Sequence, residues 1–411
     1  MSVFQIIALM LTLAAVFSFL NYKTLKLPTT IGLMFFSLLM SLAIIGLHAL
    51  NVDIETYAEK ILSSIDFNQT LMQGMLSFLL FAGALHVDLE SLAKQKWVIA
   101  SLATIGLLLS TFLVGCASWW ILGLLGFNID LIWCLLFGAL ISPTDPIAVM
   151  AILKTAGAPE SLETKIAGES LFNDGVAVVV FIVLLEIATG GHPVTAGHVL
   201  VLFAEEAVGG VVYGLVIGYL AFQMLKNVDN YTVEILITLA LVSGGYALAG
   251  YIHVSGPIAM VVSGLLIGNH GRAFAMSDKT RAHLDTFWEL VDEILNAILF
   301  VLIGFEILLL SFNGNILIAG MIITLVTLAA RMFSVWLPIS MLKFTREFTS
   351  GVVRILTWGG LRGGISVALA LSIPAGPARD IILPITYIIV VFSILVQGLT
   401  VGRLIRYQIR A

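Results

Sequence analysis

The chain has 411 residues, 60% of them apolar and 11% charged, a balance that a soluble domain of this length could not carry on a water-facing surface. The net charge of −5 excludes little, because in a chain solvated by lipid the placement of Lys and Arg matters more than their sum. Nothing in the sequence points to nucleic acid or to a cofactor, and the partner that the composition implies is membrane lipid.

Apolar runs separated by polar or Gly/Pro breaks predict thirteen spanning segments, at about 3–21, 29–49, 70–86, 98–124, 130–153, 162–190, 198–225, 231–252, 256–269, 284–311, 315–342, 350–374 and 380–405. The first run has no basic residue ahead of it and no small-residue cleavage site behind it, so a spanning helix is expected there rather than a removable signal peptide. The polar stretches at 51–69 and 268–285 read as short loops or interfacial segments, and no long cytoplasmic tail is expected after the last run. Cys116 and Cys134 fall inside apolar runs, where a thiol is ordinarily a small hydrophobe.

Basic residues test this segmentation, since cytoplasmic loops concentrate them. With the N-terminus outside, 16 of the 20 Lys and Arg, from Lys23 to Arg410, fall in inside loops or at the C-terminus. Lys60 and Arg379 fall outside, and Arg331 and Arg362 lie within apolar segments. An odd count then gives the two halves opposite orientation, with the run at 198–225 as connector. Ser142-Pro143-Thr144-Asp145-Pro146 breaks the fifth segment of one half, and Gly359-Gly360-Leu361-Arg362-Gly363-Gly364 breaks the fifth of the other. Paired breaks at corresponding positions are the sequence signature of inverted-repeat transporters with a midplane site. The expected fold is an all-α integral membrane protein with thirteen transmembrane helices in two inverted six-helix repeats with crossed broken helices.

Charges inside spanning segments are costly, so each needs a partner or a task. Asp145 sits between two prolines, whereas Glu169 and Asp174 belong to Gly168-Glu169-Ser170-Leu171-Phe172-Asn173-Asp174-Gly175. Helical spacing puts Glu169 and Asn173 on one ridge and Ser170 and Asp174 on the next. Such oxygen-rich groups suit a hard monovalent cation, and the break can add backbone carbonyls and the Thr144 hydroxyl to the Asp174 carboxylate. A carboxylate taken out of water also binds a proton readily, so cation and proton compete for one acid. If access switches only when that acid is neutralised, exchange follows. Asp145 is read three ways: a direct ligand, a ligand through water, or a charge that neutralises broken helix ends. Glu169 needs a base, with Arg362 the first choice and Arg331 the other; alternatively Arg362 caps the carbonyls of a broken helix. Glu186, Glu205, Glu206 and Glu234 read as interfacial or cavity-mouth residues, and His253 with Ser255, Gly256 and Pro257 as a turn. The acidic group Asp285, Glu289, Asp292 and Glu293 reads either as a cation-attracting funnel or as a solvated helix face, leaving Asn296 and Glu306 without assignment.

Four stretches, in this order, resemble the monovalent cation:proton antiporter-1 family: Pro143-Thr144-Asp145-Pro146, Glu169-Ser170-Leu171-Phe172-Asn173-Asp174, Phe300-Val301-Leu302-Ile303-Gly304 and Gly359-Gly360-Leu361-Arg362-Gly363-Gly364. The resemblance spans most of the chain. It implies a homodimer in a prokaryotic plasma (inner) membrane, for which the distribution of basic residues sets the N-terminus outside and the C-terminus cytoplasmic. Segments at about 98–190 and 315–405 would form the ion-translocating core, and those at about 3–86 and 231–311 the dimerisation side. It further implies Na+, with Li+ as a companion ion, exchanged for H+ at Asp174. Ser170, Thr144 and Asp145 would support the ion, Asn173 would be the neighbour of the carboxylate, and Glu169 with an Arg would be a structural pair. An Asn at the position before the acid goes, in this family, with electroneutral one-for-one exchange. Arg331 stands where relatives carry a Lys. K+/H+ exchange remains an alternative, as does a cation channel, although no filter loop occurs; no motif of an intramembrane enzyme is present.

Overall fold

A computed structural model describes residues 3–50, 70–190 and 196–410, apart from 345, 347 and 350. The polar stretch at 51–69, with Lys60, lies outside the described residues, as do the side chains of Lys154 and Arg410. Helix α1 (Val3–Lys23) turns back into α2 (Thr29–Ala49), and the Asn21 amide holds the turn by bonding both the N–H and the carbonyl of Leu27. A π turn at Thr70–Met75 leads to α3 (Leu76–Leu85), followed by α4 (Leu89–Leu124), α5 (Leu131–Ile141), α6 (Ile147–Ala156) and α7 (Glu160–Thr189). The remaining helices are α8 (Ala196–Lys226), α9 (Tyr231–Tyr251), α10 (Gly256–Leu266), α11 (Asp278–Glu306), α12 (Gly314–Leu342), α13 (Val352–Trp358), α14 (Gly364–Leu371), α15 (Pro377–Phe392) and α16 (Gly398–Arg410). Among the described residues the only extended pairing is an isolated bridge between Asp145 and Leu361.

Among the described residues eight helical stretches are long and apolar enough to cross a membrane, α4 and the α15–α16 path among them. The other five expected segments coincide with α3 and α10, which are short, with the broken pairs α5–α6 and α13–α14, and with α11, whose start is charged. Two helices begin earlier than their apolar runs because polar caps extend them. Asp88 accepts from the Ser91 N–H at 2.7 Å and starts α4, and this bond holds its carboxyl below the usual carboxylate range. Ser277 caps α11 by accepting from the Thr280 N–H, so helix occupies part of the stretch read as a polar loop. The turn expected at His253 is present: His253 takes φ +56°, and the Ser255 hydroxyl caps α10 with Pro257 in its first turn.

The lipid-facing and protein-facing sides of α8 follow directly from spacing. Val208, Val212, Val216 and Leu220 recur every four residues and are exposed, as an apolar solvent requires. On the opposite face Gly210, Gly214 and Gly218 lie against Ser255, Ala259 and Ser263 of α10. Apolar burial cannot drive helices together in lipid, so close backbone approach through small residues takes its place. A side chain at Gly214 would begin 2.7 Å from the Ala259 carbonyl oxygen. Gly214→Val is therefore expected to destabilise the protein by about 1–3 kcal/mol through overpacking, read as a lower thermal midpoint in detergent, whereas Val212→Ala on the exposed face leaves the midpoint within error.

Candidate functional site

Two chain breaks meet at the centre of the molecule. Pro143 and Pro146 have no N–H to donate and interrupt the helical hydrogen-bond ladder, so α5 stops at Ile141, with Ser142 still holding helical dihedrals, and α6 starts afresh at Ile147. The glycine-rich stretch between α13 and α14 opens the second gap. The Asp145 N–H donates to the Leu361 carbonyl at 2.8 Å, and the Arg362 guanidinium donates to the carbonyls of Pro143, at 2.9 Å, and Ser142. Contact this close needs glycine, because a Cβ on Gly363 would lie 2.4 Å from an Asp145 carboxylate oxygen.

The crossing brings together helix ends of like polarity, and charged side chains sit at them. Arg362, 3% exposed, serves the carbonyl end of α5, while Arg331 of α12, 6% exposed, donates at 3.1 Å to the Leu356 carbonyl in the last turn of α13. Asp145 serves the opposite polarity: its Oδ1 accepts from the Ile147 N–H at 2.9 Å at the start of α6. Glu169 of α7, 1% exposed, receives its hydrogen bond from Arg331. The first-choice pairing of Glu169 with Arg362 is thus replaced by Glu169–Arg331. Arg362 is already committed to two carbonyls, and its own N–H donates to the Ser393 hydroxyl at 2.8 Å. Ser393 and Gln397 belong to a π turn between α15 and α16, and Gln397 in turn donates to the Trp358 carbonyl at 3.1 Å, so this turn holds both sides of the second break.

Beside the breaks, one face of α7 meets the extended strand of the first. The Asn173 amide donates to Thr144 Oγ1 at 3.0 Å, and the Ser170 and Thr144 hydroxyls lie 3.1 Å apart. Thr144, Ser170 and Asn173 therefore form one buried polar net. Asp174 differs from the charges at the crossing, Asp145, Glu169, Arg331 and Arg362. It is 9% exposed, and among the described residues no hydrogen bond or ion pair reaches its carboxylate. It faces a cavity of about 160 Å³ that Thr144 and Asp145 also line, whereas Ser170 and Asn173 stand behind that wall. Among the described residues no three His, Cys, Asp or Glu side chains gather as a metal cluster, so oxygen ligands for a cation here would come from the two carboxylates, Thr144 and backbone carbonyls.

The far wall of this cavity belongs to α11. Asp292 and Asn296 line it, and their i, i+4 spacing toward the apolar half of α11 was the sequence signal that they point inward. The rest of the acidic group divides otherwise: Asp285 pairs with Arg272, and Glu289 and Glu293 are exposed. Phe300–Gly304 is buried packing, where Ser41 of α2 donates to the Gly304 carbonyl at 3.0 Å. Glu234, expected at an interface or cavity mouth, is fully buried at the start of α9. Cys116 and Cys134 are free thiols, the second of them buried.

Glu169→Ala would strand the Arg331 guanidinium away from water. The expected cost is about 3–5 kcal/mol, measured as loss of folded protein or thermal midpoint in detergent. The double variant Glu169→Ala/Arg331→Met should recover most of that loss, because it removes the buried charge together with its partner.

The geometry has counterparts in known proteins. A family model described as the transmembrane sodium/hydrogen exchanger matches residues 8–407. The chain is 52% identical over 407 residues to the protein named Na(+)/H(+) antiporter NhaP of Pseudomonas aeruginosa, covering 98% of this chain and 96% of that one. It is 36% identical over 393 residues to the protein named Na(+)/H(+) antiporter NhaH of Halobacillus dabanensis, covering 93% of each. The solved structure of the sodium proton antiporter MjNhaP1 from Methanocaldococcus jannaschii at pH 8 has the same fold, with a TM-score of 0.76 at 20% identity over 97% of this chain and 96% of that one. An all-helical membrane fold built on crossed broken helices, and a family match over nearly its whole length, place the chain in the sodium/hydrogen exchanger family of monovalent cation:proton antiporters.

Proposed function

We propose that this protein is a secondary antiporter that exchanges Na+, and Li+ with it, for H+ one for one, and that both ions compete for Asp174. The observation that carries the reading is a carboxylate that is buried and, among the described residues, free of hydrogen bonds and ion pairs while facing a cavity, whereas Glu169, Arg331, Arg362 and Asp145 are engaged. A permanently paired acid could not exchange its ligand; this one can. Thr144 and Asp145 stand on the same cavity, with Ser170 and Asn173 fixing Thr144 from behind. The relatives reported above are named as Na+/H+ antiporters, and none of them as a K+ exchanger or a channel.

Charge arithmetic supports the one-for-one ratio. Within the crossed helices and α7, Asp145, Asp174 and Glu169 oppose Arg331 and Arg362, so this group carries −3 + 2 = −1 when all five are ionised, Asp292 of α11 lying outside it on the opposite wall of the cavity. One Na+ or one H+ brings it to neutrality, which is the state in which a buried group crosses a low-dielectric barrier at least cost. In this reading α4–α7 and α12–α16 form the moving core, α1–α3 and α9–α11 the dimerisation side of a homodimer, and α8 the connector. The distribution of basic residues supports thirteen crossings of a prokaryotic plasma (inner) membrane, with the N-terminus outside and the C-terminus cytoplasmic.

Proteoliposomes with an imposed pH gradient test the proposal. Adding Na+ or Li+ should dissipate the gradient for the wild type at a rate that is unchanged when the membrane potential is clamped. Asp174→Ala should abolish this response, and Thr144→Ala should raise the KM for Na+ about tenfold, the equivalent of one lost ligand at ~1.4 kcal/mol. Equal Na+-driven proton flux in wild type and Asp174→Ala would overturn the mechanism.

A further inference from the structure

Asn296 presents an unusual combination. It is 2% exposed, no well-formed hydrogen bond reaches its amide nitrogen or oxygen among the described residues although the Asp292 carboxylate is near enough to interact with it, and it lines the cavity that holds Asp174. A polar group buried without a well-formed hydrogen bond is destabilising, so such an amide is suited to a ligand rather than to packing. Asp292 lies one helical turn earlier on the same face of α11 and lines the same cavity. The other neighbours on that wall, Leu299 of α11 and Leu76 and Leu80 of α3, offer no polar atom from their side chains.

We propose that Asp292 and Asn296 form a receiving subsite for a partly hydrated monovalent cation, distinct from the Asp174 site and contributed by the opposite side of the cavity. The inference rests on the antiport reading above. Three features fit it together. The cavity of about 160 Å³ holds several waters, so an ion there keeps part of its hydration shell. An acid and an amide one turn apart supply one charge and one neutral oxygen, enough to attract a monovalent ion and too few ligands to trap it. Finally, Asp292 and Asn296 belong to α11, while Asp174 belongs to α7. When the core carries Asp174 away, the pair on α11 stays behind, so it serves the ion only while the cavity faces one side. The charged start of α11, at Asp278, places that side toward the cytoplasm in the proposed topology.

The test compares Asp292→Asn, Asn296→Leu and Asn296→Ser with Asp174→Ala in proteoliposomes at fixed pH, with Na+ and Li+ as the probes. The KM for Na+ should rise about tenfold in Asp292→Asn and Asn296→Leu, by more than the maximal rate falls, and less in Asn296→Ser, which keeps an oxygen ligand. In detergent, the Na+ concentration that half-raises the melting midpoint should move upward by a similar factor in the same variants. A packing role would lower the melting midpoint and move neither quantity, and that result overturns the subsite. Asp174→Ala separates the two proposals: activity in that variant sinks the exchange site itself, whereas its inactivity beside an unmoved KM in the α11 variants sinks the receiving subsite alone.

Discussion

The architecture depends on a single electrostatic constraint, that a helix interrupted inside a membrane exposes partial charges that water cannot neutralise. Two such interruptions cross here, so four helix ends converge. Arg362 answers the carbonyl end of α5 and Arg331 that of α13, while Asp145 answers the amide end of α6 and lies against Gly363, just ahead of α14. Each added full charge then needs its own balance, which is why Glu169 is present beneath Arg331. Once these demands are met, Asp174 is the charge left over.

The same constraint dictates the small residues and the distortions around the crossing. A side chain at position 363 would occupy the place of the Asp145 carboxylate, so the breaks can touch only through glycine. The π turn at Ser393–Gln397 widens the helical path enough to turn a hydroxyl toward the Arg362 N–H and an amide toward the Trp358 carbonyl. These are polar groups spent on holding backbone, and they differ in kind from the carboxylates that face the cavity.

Much of this was legible in the sequence, for identifiable reasons. Proline pairs and glycine runs inside apolar segments announce breaks wherever they fall, and the i, i+4 relations of Glu169, Ser170, Asn173 and Asp174 fix their relative placement on one helix. What the sequence does not contain is the azimuth of one helix against another. For that reason it named both candidate arginines and put Arg362 first, whose donors are in fact taken by Ser142 and Pro143. The same gap obscured Asp292 and Asn296: their spacing puts both on one face of α11, but an acidic start reads equally well as a solvated face, and the packing of α11 across from α7 is what turns the two toward the cavity.

Pairing and freedom divide the five central charges by function. If Asp174 were paired with an arginine, the centre would already be neutral at that acid and could change its access without cargo. Without Glu169 the same group would sum to −2 + 2 = 0 and would be neutral before any cargo bound. Within that group of five, with Asp292 standing apart on α11, a net charge of −1 on one unpartnered acid would make one monovalent ion or one proton the smallest load that neutralises it, as the proposed one-for-one exchange requires. On this account the coupling ratio is a property of the inventory of buried charges, set by which side chains the crossed helix ends have already consumed.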